Sequence, residues 1–222
     1  IAHLEAENSY TESRTAHLAQ LREELYRDLD VRTVQTDLSV PSRSTHSGGD
    51  SWWYYSRTVE GQQYPLHCRV PAADLTPPDT AAHPEGLPGE QVLLDQNLAA
   101  EGHDFFSLGS FAISPDGTRL AWASDVSGAE RYTLRVRDLT TGEDLSDVIE
   151  DTFAGATWLG DGHVFFTRAD EAWRPWQVWR HEVGTAAEAD ALVLSEPDDR
   201  FWVGVDTSRD ERWLLVGMGS RI

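Results

Sequence analysis

The chain has 222 residues, of which 18 are basic and 38 acidic, giving a formal charge of −20. Hydrophobic residues make up 40% and aromatics 10%, enough for a buried core, which excludes a disordered acidic tail. A pI near 4.6 disfavours nucleic acid and anionic membrane surfaces as partners, and no apolar run approaches the ~18 residues of a membrane span. There is no Lys, so all 18 basic residues are Arg. The chain opens at Ile1 without Met and closes at Ile222, just past the apolar run Trp213-Leu214-Leu215-Val216. A piece of a longer protein is therefore the expectation. The one cysteine, Cys68, excludes an intrachain disulfide framework and a Cys-based zinc site, and it fits a reducing compartment. It lies in the alternating run Tyr64 to Val70 and reads as a small, half-buried strand residue.

Residues 1–34 form a distinct segment. Leu4, Asn8, Thr11, Leu18, Leu21, Leu25 and Leu29 recur at helical spacing with charges between them, and no Gly or Pro precedes Pro41. This predicts one or two amphipathic helices. Helices of this length are marginal alone in water, so their apolar stripe needs a partner surface.

After Val34 the period falls to two. Ser51 to Thr58 is strongly β-prone, Glu60-Gly61 turns, and Gln63 to Val70 returns. Pro71 to Gly89 reads as an exposed insertion, because strand pattern resumes at Gln91 to Asp95. A unit then runs from Phe111-Ala112-Ile113-Ser114 through the turn Pro115-Asp116-Gly117 to Thr118–Ser124. It continues past a loop at Asp125–Glu130 into Tyr132–Arg137, and turns at Thr140-Thr141-Gly142 into Asp144–Ile149. It restarts at Ala156–Leu159, Gly160-Asp161-Gly162, His163–Arg168, Trp176–Glu182 and Ala191–Leu194, and again at Phe201–Asp206 and Glu211–Val216. Asp116 and Asp161 stand 45 residues apart. That matches the roughly 40–45-residue period of a four-stranded propeller blade. Radial stacking buries both apolar faces of each small sheet. With Ser51–Asp95 as the first blade, the chain holds three blades and part of a fourth, an open arc with an unsatisfied edge after residue 222.

The chemistry-bearing motifs are sparse. No Gly-x-Ser-x-Gly elbow, phosphate loop, His-Glu-x-x-His helix or paired-Cys spacing occurs. The eight His residues are scattered singly and read as surface or hydrogen-bonded groups. The Asp-Gly pairs at 116–117 and 161–162 are explained by turn chemistry, with Gly at positive φ and Asp bonding its own backbone, better than by calcium. Glu101-Gly102-His103-Asp104-Phe105-Phe106 reads as a polar loop with a Phe anchor, with an interface role close behind. Glu171-Ala172-Trp173-Arg174-Pro175-Trp176 reads as an inter-strand loop whose Trp residues pack down and whose Arg174 is free to pair.

An ordered set of motifs along nearly the whole chain carries a family resemblance. It comprises Leu4-Glu5-Ala6-Glu7-Asn8-Ser9-Tyr10-Thr11, Leu21-Arg22-Glu23-Glu24-Leu25 and Glu101-Gly102-His103-Asp104-Phe105-Phe106-Ser107-Leu108-Gly109. It continues in Ser114-Pro115-Asp116-Gly117, Tyr132 to Leu139, Asp170-Glu171-Ala172-Trp173-Arg174-Pro175, and Val178 to His181 with Gly184-Thr185. The sequence resembles the N-terminal part of the oligopeptidase B branch of the prolyl oligopeptidase family of serine peptidases. Ser-Pro-Asp-Gly alone is common in propellers; the order of the whole set is what is specific.

The resemblance implies a cytoplasmic two-domain enzyme, in which a seven-bladed propeller caps an α/β-hydrolase domain bearing a Ser-Asp-His triad. It implies cleavage of short peptides after Arg or Lys without metal or organic cofactor. The helical segment 1–34 would pack on that C-terminal hydrolase domain, and residues 38–222 would be the incomplete N-terminal propeller, about three and a half blades of seven. The triad would lie downstream of residue 222, so the chain alone carries no catalytic residue and is expected to be inactive. Charged propeller residues near the start of the second blade bridge the domains in this family and help hold the closed state. Asp104 aligns with that acidic position, and Glu130 lies in a nearby loop facing the same way. The rival reading is a non-catalytic propeller that scaffolds a protein or peptide, since propellers serve many functions.

Overall fold

The structure, a computed structural model, describes residues 1–220. The helical expectation resolves into α1 (Ala2–Thr15) and α2 (Ala19–Asp30), joined by one 3₁₀ turn at Ala16–Leu18. Neither helix buries a residue, and Leu21, Leu25 and Leu29 are 49%, 53% and 66% exposed.

The rest is a radial stack of antiparallel sheets, a partial β-propeller. Blade 1 contains β1 (Asp37–Leu38), β2 (Ser42–Thr45), β3 (Ser51–Thr58), β4 (Leu66–Pro71) and β5 (Gln91–Asp95), with β1 and β2 sharing one edge of β3. A short helix, α3 (Gln96–Ala100), follows, capped by Asp95, whose carboxylate accepts from the amides of Asn97 and Leu98. Blade 2 is β6 (Ser107–Ile113), β7 (Arg119–Asp125), β8 (Tyr132–Asp138) and β9 (Asp144–Thr152). Blade 3 is β10 (Ala156–Trp158), β11 (His163–Ala169), β12 (Pro175–Glu182) and β13 (Ala191–Ser195). Blade 4 is represented by the hairpin β14 (Phe201–Thr207) and β15 (Leu214–Ser220). The free edge expected beyond residue 222 lies outside the described residues.

The period of two explains the stacking. In β7, Leu120 and Trp122 point into a core shared with Leu93, Leu94 and Phe106 at the blade 1–2 seam. The intervening Ala121 and Ala123 point into the blade 2–3 seam with Trp158, Val164 and Phe166. In β11 the intervening Phe165 turns to Val178 and Val203 at the blade 3–4 seam. Each strand thus feeds two cores, one per face. Cys68 is 1% exposed in the blade 1 core, more deeply buried than its alternating run implies, because Leu87 of the long insertion folds back over that face.

Polar bonds lace the seams. Trp158 Nε1 donates to the Ala112 carbonyl at 2.8 Å, and Arg137 reaches the Leu93 carbonyl at 3.1 Å. At the blade 2–3 seam the ring of His181 is wholly buried between two carboxylates, with Nε2 2.8 Å from Asp147 and Nδ1 2.7 Å from Asp190. The second oxygen of each carboxylate is buried with no hydrogen-bond partner among the described residues.

Because successive strands reverse direction, the connections separate into two ends. One end, the turn end, carries the connections 72–90, 114–118, 139–143, 159–162 and 183–190. The other, the loop end, carries 59–65, 96–106, 126–131, 153–155 and 170–174. Residue 36 belongs to this loop end, since the Glu60 amide donates to Thr36 Oγ1 and β1 pairs with the close of β3. The helical segment therefore joins the propeller at the loop end.

Two local expectations change, at the β3–β4 turn and at the second Asp-Gly pair. The β3–β4 connection is wider than a tight hairpin at Glu60-Gly61, because the Asn97 side chain binds both backbone groups of Tyr64 and splints the loop. Gly117 is left-handed as expected (φ +74°), and a Cβ there would lie 2.8 Å from the His46 ring. In the second pair the left-handed residue is Gly160, not Gly162, and Asp161 bonds the Asp116 amide of the preceding blade rather than its own turn.

Candidate functional site at the loop end

The site begins with Asp125, the last residue of β7. Its buried carboxylate accepts from Ser127 N (2.8 Å), Ser127 Oγ (2.7 Å), Gly128 N (3.1 Å) and Glu130 N (2.8 Å). Burial alone would raise its pKa, but these donors outweigh it and hold the group below the usual Asp value. One side chain thus organises the whole β7–β8 loop. Glu130 closes that loop with φ +55°, a left-handed conformation that costs a non-glycine residue roughly 1–2 kcal/mol. Its carboxylate is exposed and forms no ion pair among the described residues.

Asp104 stands in the connection from blade 1 to blade 2. It too is exposed, and no hydrogen bond or ion pair ties it to the described residues. Its neighbour Phe105 approaches the β7–β8 loop: a Cβ on Gly128 would lie 4.0 Å from the Phe105 ring. The fold thus brings both sequence-chosen acids to adjoining loops at one end, and the following Phe106 is the buried anchor, 4% exposed.

The third loop departs from expectation. Trp173 does not pack down; it is 44% exposed with φ +59°, and its Nε1 donates to the Ala129 carbonyl at 2.6 Å. Arg174 is not free. It is 8% exposed, paired with Asp170 at 2.9 Å, and its Nη1 donates to the carbonyls of Glu196, Asp198 and Phe201. Arg131 bonds Asp151 and the carbonyls of Ala169 and Asp170. Arg131 and Arg174 are therefore committed to the propeller itself, while Asp104, Glu130 and Glu171 stay exposed. Chemically this end can pair with cations on an opposing surface. Among the described residues no group of His, Cys, Asp and Glu is arranged to hold a metal ion. Asp125, Arg131 and the Trp173 bond went unread from sequence; the legible trace was Asp125-x-Ser127-Gly128, an Asx-turn pattern.

Comparison with known proteins now decides the family. The model of the prolyl oligopeptidase N-terminal β-propeller domain matches residues 1–222. The chain belongs to that family. It is 37% identical over its whole length to dipeptidyl aminopeptidase BI of Pseudoxanthomonas mexicana and 32% identical to protease 2 of Moraxella lacunata, spanning 31% of each. Oligopeptidase B from Leishmania major superposes with a TM-score of 0.83 at 28% identity, over 98% of this chain and 29% of that one. Oligopeptidase B from Trypanosoma brucei, in a closed form with covalently bound antipain, gives 0.81 at 30% identity, over 98% and 29%. The chain thus spans under a third of the relatives it matches, and its match is to the N-terminal propeller domain of the family. No helix among the described residues is long and apolar enough to cross a membrane.

Proposed function

We propose that this propeller covers the active site of a cytoplasmic serine oligopeptidase that cleaves short peptides after Arg or Lys, with no metal or organic cofactor. In this reading residues 1–34 pack on a C-terminal α/β-hydrolase domain, and residues 38–222 belong to the propeller that screens substrates by size. The Ser-Asp-His triad belongs to the hydrolase domain, so the propeller contributes exclusion and gating rather than bond-making. Asp104 and Glu130 pair with cations across the domain interface and favour the closed state. The observation that carries the reading is the coincidence at the loop end. The unpartnered leucine stripe of α2 enters there, and the exposed acids Asp104 and Glu130 stand there too. Apolar surface of that extent needs a cover. The likeness to oligopeptidase B, one structure of which is described as a closed form with covalently bound antipain, supports the peptidase assignment. A net charge of −20 steers cationic peptides inward.

The test is hydrolysis of an Arg-containing chromogenic dipeptide by the full-length protein, alongside small-angle scattering. Asp104→Ala is expected to lower kcat/KM and enlarge the scattering dimensions as the open form gains population. Unchanged activity and dimensions would sink the gating role. Turnover by residues 1–222 alone would overturn the division of labour.

A further inference from the structure

We propose that Trp173 and Arg131 are positioning residues for Glu130, locking the loops of blades 2 and 3 into one unit that aims its carboxylate out of the loop end. The inference rests on Glu130 as a cross-domain ion-pair partner and deepens that reading. The peptide unit between Ala129 and Glu130 is gripped from two blades. Its N–H donates to the buried Asp125 of blade 2 at 2.8 Å, and its carbonyl accepts from Trp173 Nε1 of blade 3 at 2.6 Å. It cannot rotate without breaking one grip, which is how Glu130 keeps a left-handed backbone. The next residue is fixed as well. Arg131 donates to Asp151 Oδ1 at 3.1 Å, to the Ala169 carbonyl at 2.9 Å and to the Asp170 carbonyl at 2.5 Å. Its guanidinium lies 5.4 Å from the centroid of the Trp173 ring.

Packing does not account for Trp173, which is half-exposed and itself left-handed. Its turn is held instead by Asp170, which accepts from the amides of Ala172 and Arg174. Asp151, the third partner, is also left-handed at φ +58°. Of the four left-handed non-glycine residues described, three meet in this assembly; the other, Glu211, lies in the β14–β15 turn at the opposite end. Strain gathered on one exposed corner and held there by named bonds is the mark of a functional geometry. Between the clamps the carboxylate of Glu130 is left exposed, without an ion pair among the described residues.

Two variants of the full-length protein test this. Trp173→Phe keeps a ring beneath Arg131 and removes only the Nε1 donor; Arg131→Lys keeps the charge and loses the fork. In hydrogen exchange, each is expected to speed the amides of Ser127, Gly128 and Glu130 about tenfold while turn-end amides hold. Acceleration confined to 170–174 in Trp173→Phe would overturn the lock. In kinetics, Trp173→Phe is expected to lower kcat/KM for an Arg-containing dipeptide by about threefold, and to add nothing in a Glu130→Gln background. An equal loss in both backgrounds overturns the inference. If Glu130→Gln alone leaves kcat/KM and its salt dependence unchanged, the cross-domain reading falls, and the exchange data still decide the lock.

Discussion

The two ends of the blades use acidic residues in opposite ways. At the turn end, Asp116 accepts from Ser114, Thr118 N and Thr118 Oγ1, and Asp161 accepts from the Asp116 amide. There Asp147 and Asp190 grip His181. These carboxylates are consumed inside the propeller, Asp116 and Asp190 within their own blades and Asp161 and Asp147 across the blade 2–3 seam. At the loop end Asp125 and Asp170 do the same work, but they do it to present other acids. Glu130 and Glu171 are left exposed at the tips they hold, and Asp104 is exposed on the adjoining connection. The contrast teaches that the −20 charge is not one property. Part of it is spent inside the propeller, and part is displayed, on Asp104, Glu130 and Glu171 where the helical segment enters and on Glu143, Glu188 and Glu211 at the turn end.

The contrast is broken most severely at His181. Replacing it by Ala leaves two carboxylates buried at the blade 2–3 seam without the group between them. The expected loss is about 3–5 kcal/mol, seen as a fall in the thermal unfolding midpoint. A smaller effect follows from Asp125→Ala, which orphans three backbone donors at the loop end. About 2–3 kcal/mol is expected, confined to faster hydrogen exchange at residues 126–130 if the loop opens locally. Asp161→Ala orphans the Asp116 amide, which solvent can reach, so about 0.5–1.5 kcal/mol is expected. A ranking with Asp161 above His181 would show that the seam is not where the turn end is held.

These differences track what was legible in the sequence. The strands of blades 2 and 3 were readable because each feeds two apolar cores, which writes a strong period of two into residues such as Leu120 to Ala123. Strands β1 and β2 were not, because Ser42-Arg43-Ser44-Thr45 is polar and mostly exposed and leaves no hydrophobic alternation. The His181 grip joins residues 34 and 9 positions away, a relation that no local spacing encodes. Trp173 was misjudged because an aromatic ring argues for burial, whereas this one is used for its N–H and its π face. Asp104 and Glu130 were readable as exposed loop acids, and only the alternation of strand direction places them at the same end.

The gentlest probes separate the ends without mutation. Asp125 has a pKa held below the ordinary Asp value of 3.8. A depressed folded-state pKa stabilises above the unfolded value and loses that contribution as pH falls through the folded one. The amides of Ser127, Gly128 and Glu130 should therefore stay protected on acidification down to the ordinary Asp range and become labile only beneath it. Loss of protection already near neutral pH would mean that the carboxylate does not hold the loop. Salt acts on the other population of acids. Raising ionic strength from about 0.1 M to about 1 M shortens the Debye length from ~10 Å to ~3 Å, which screens exposed pairs and spares buried ones. The unfolding midpoint should barely respond, since the His181 and Asp125 contacts are short and sheltered. Scattering dimensions of the full-length protein should grow, because the displayed acids lose their hold on an opposing cationic surface. If salt shifts the unfolding midpoint and leaves the dimensions unchanged, the charge displayed at the loop end is stabilising the propeller rather than engaging another domain, and the distinction between the two ends collapses.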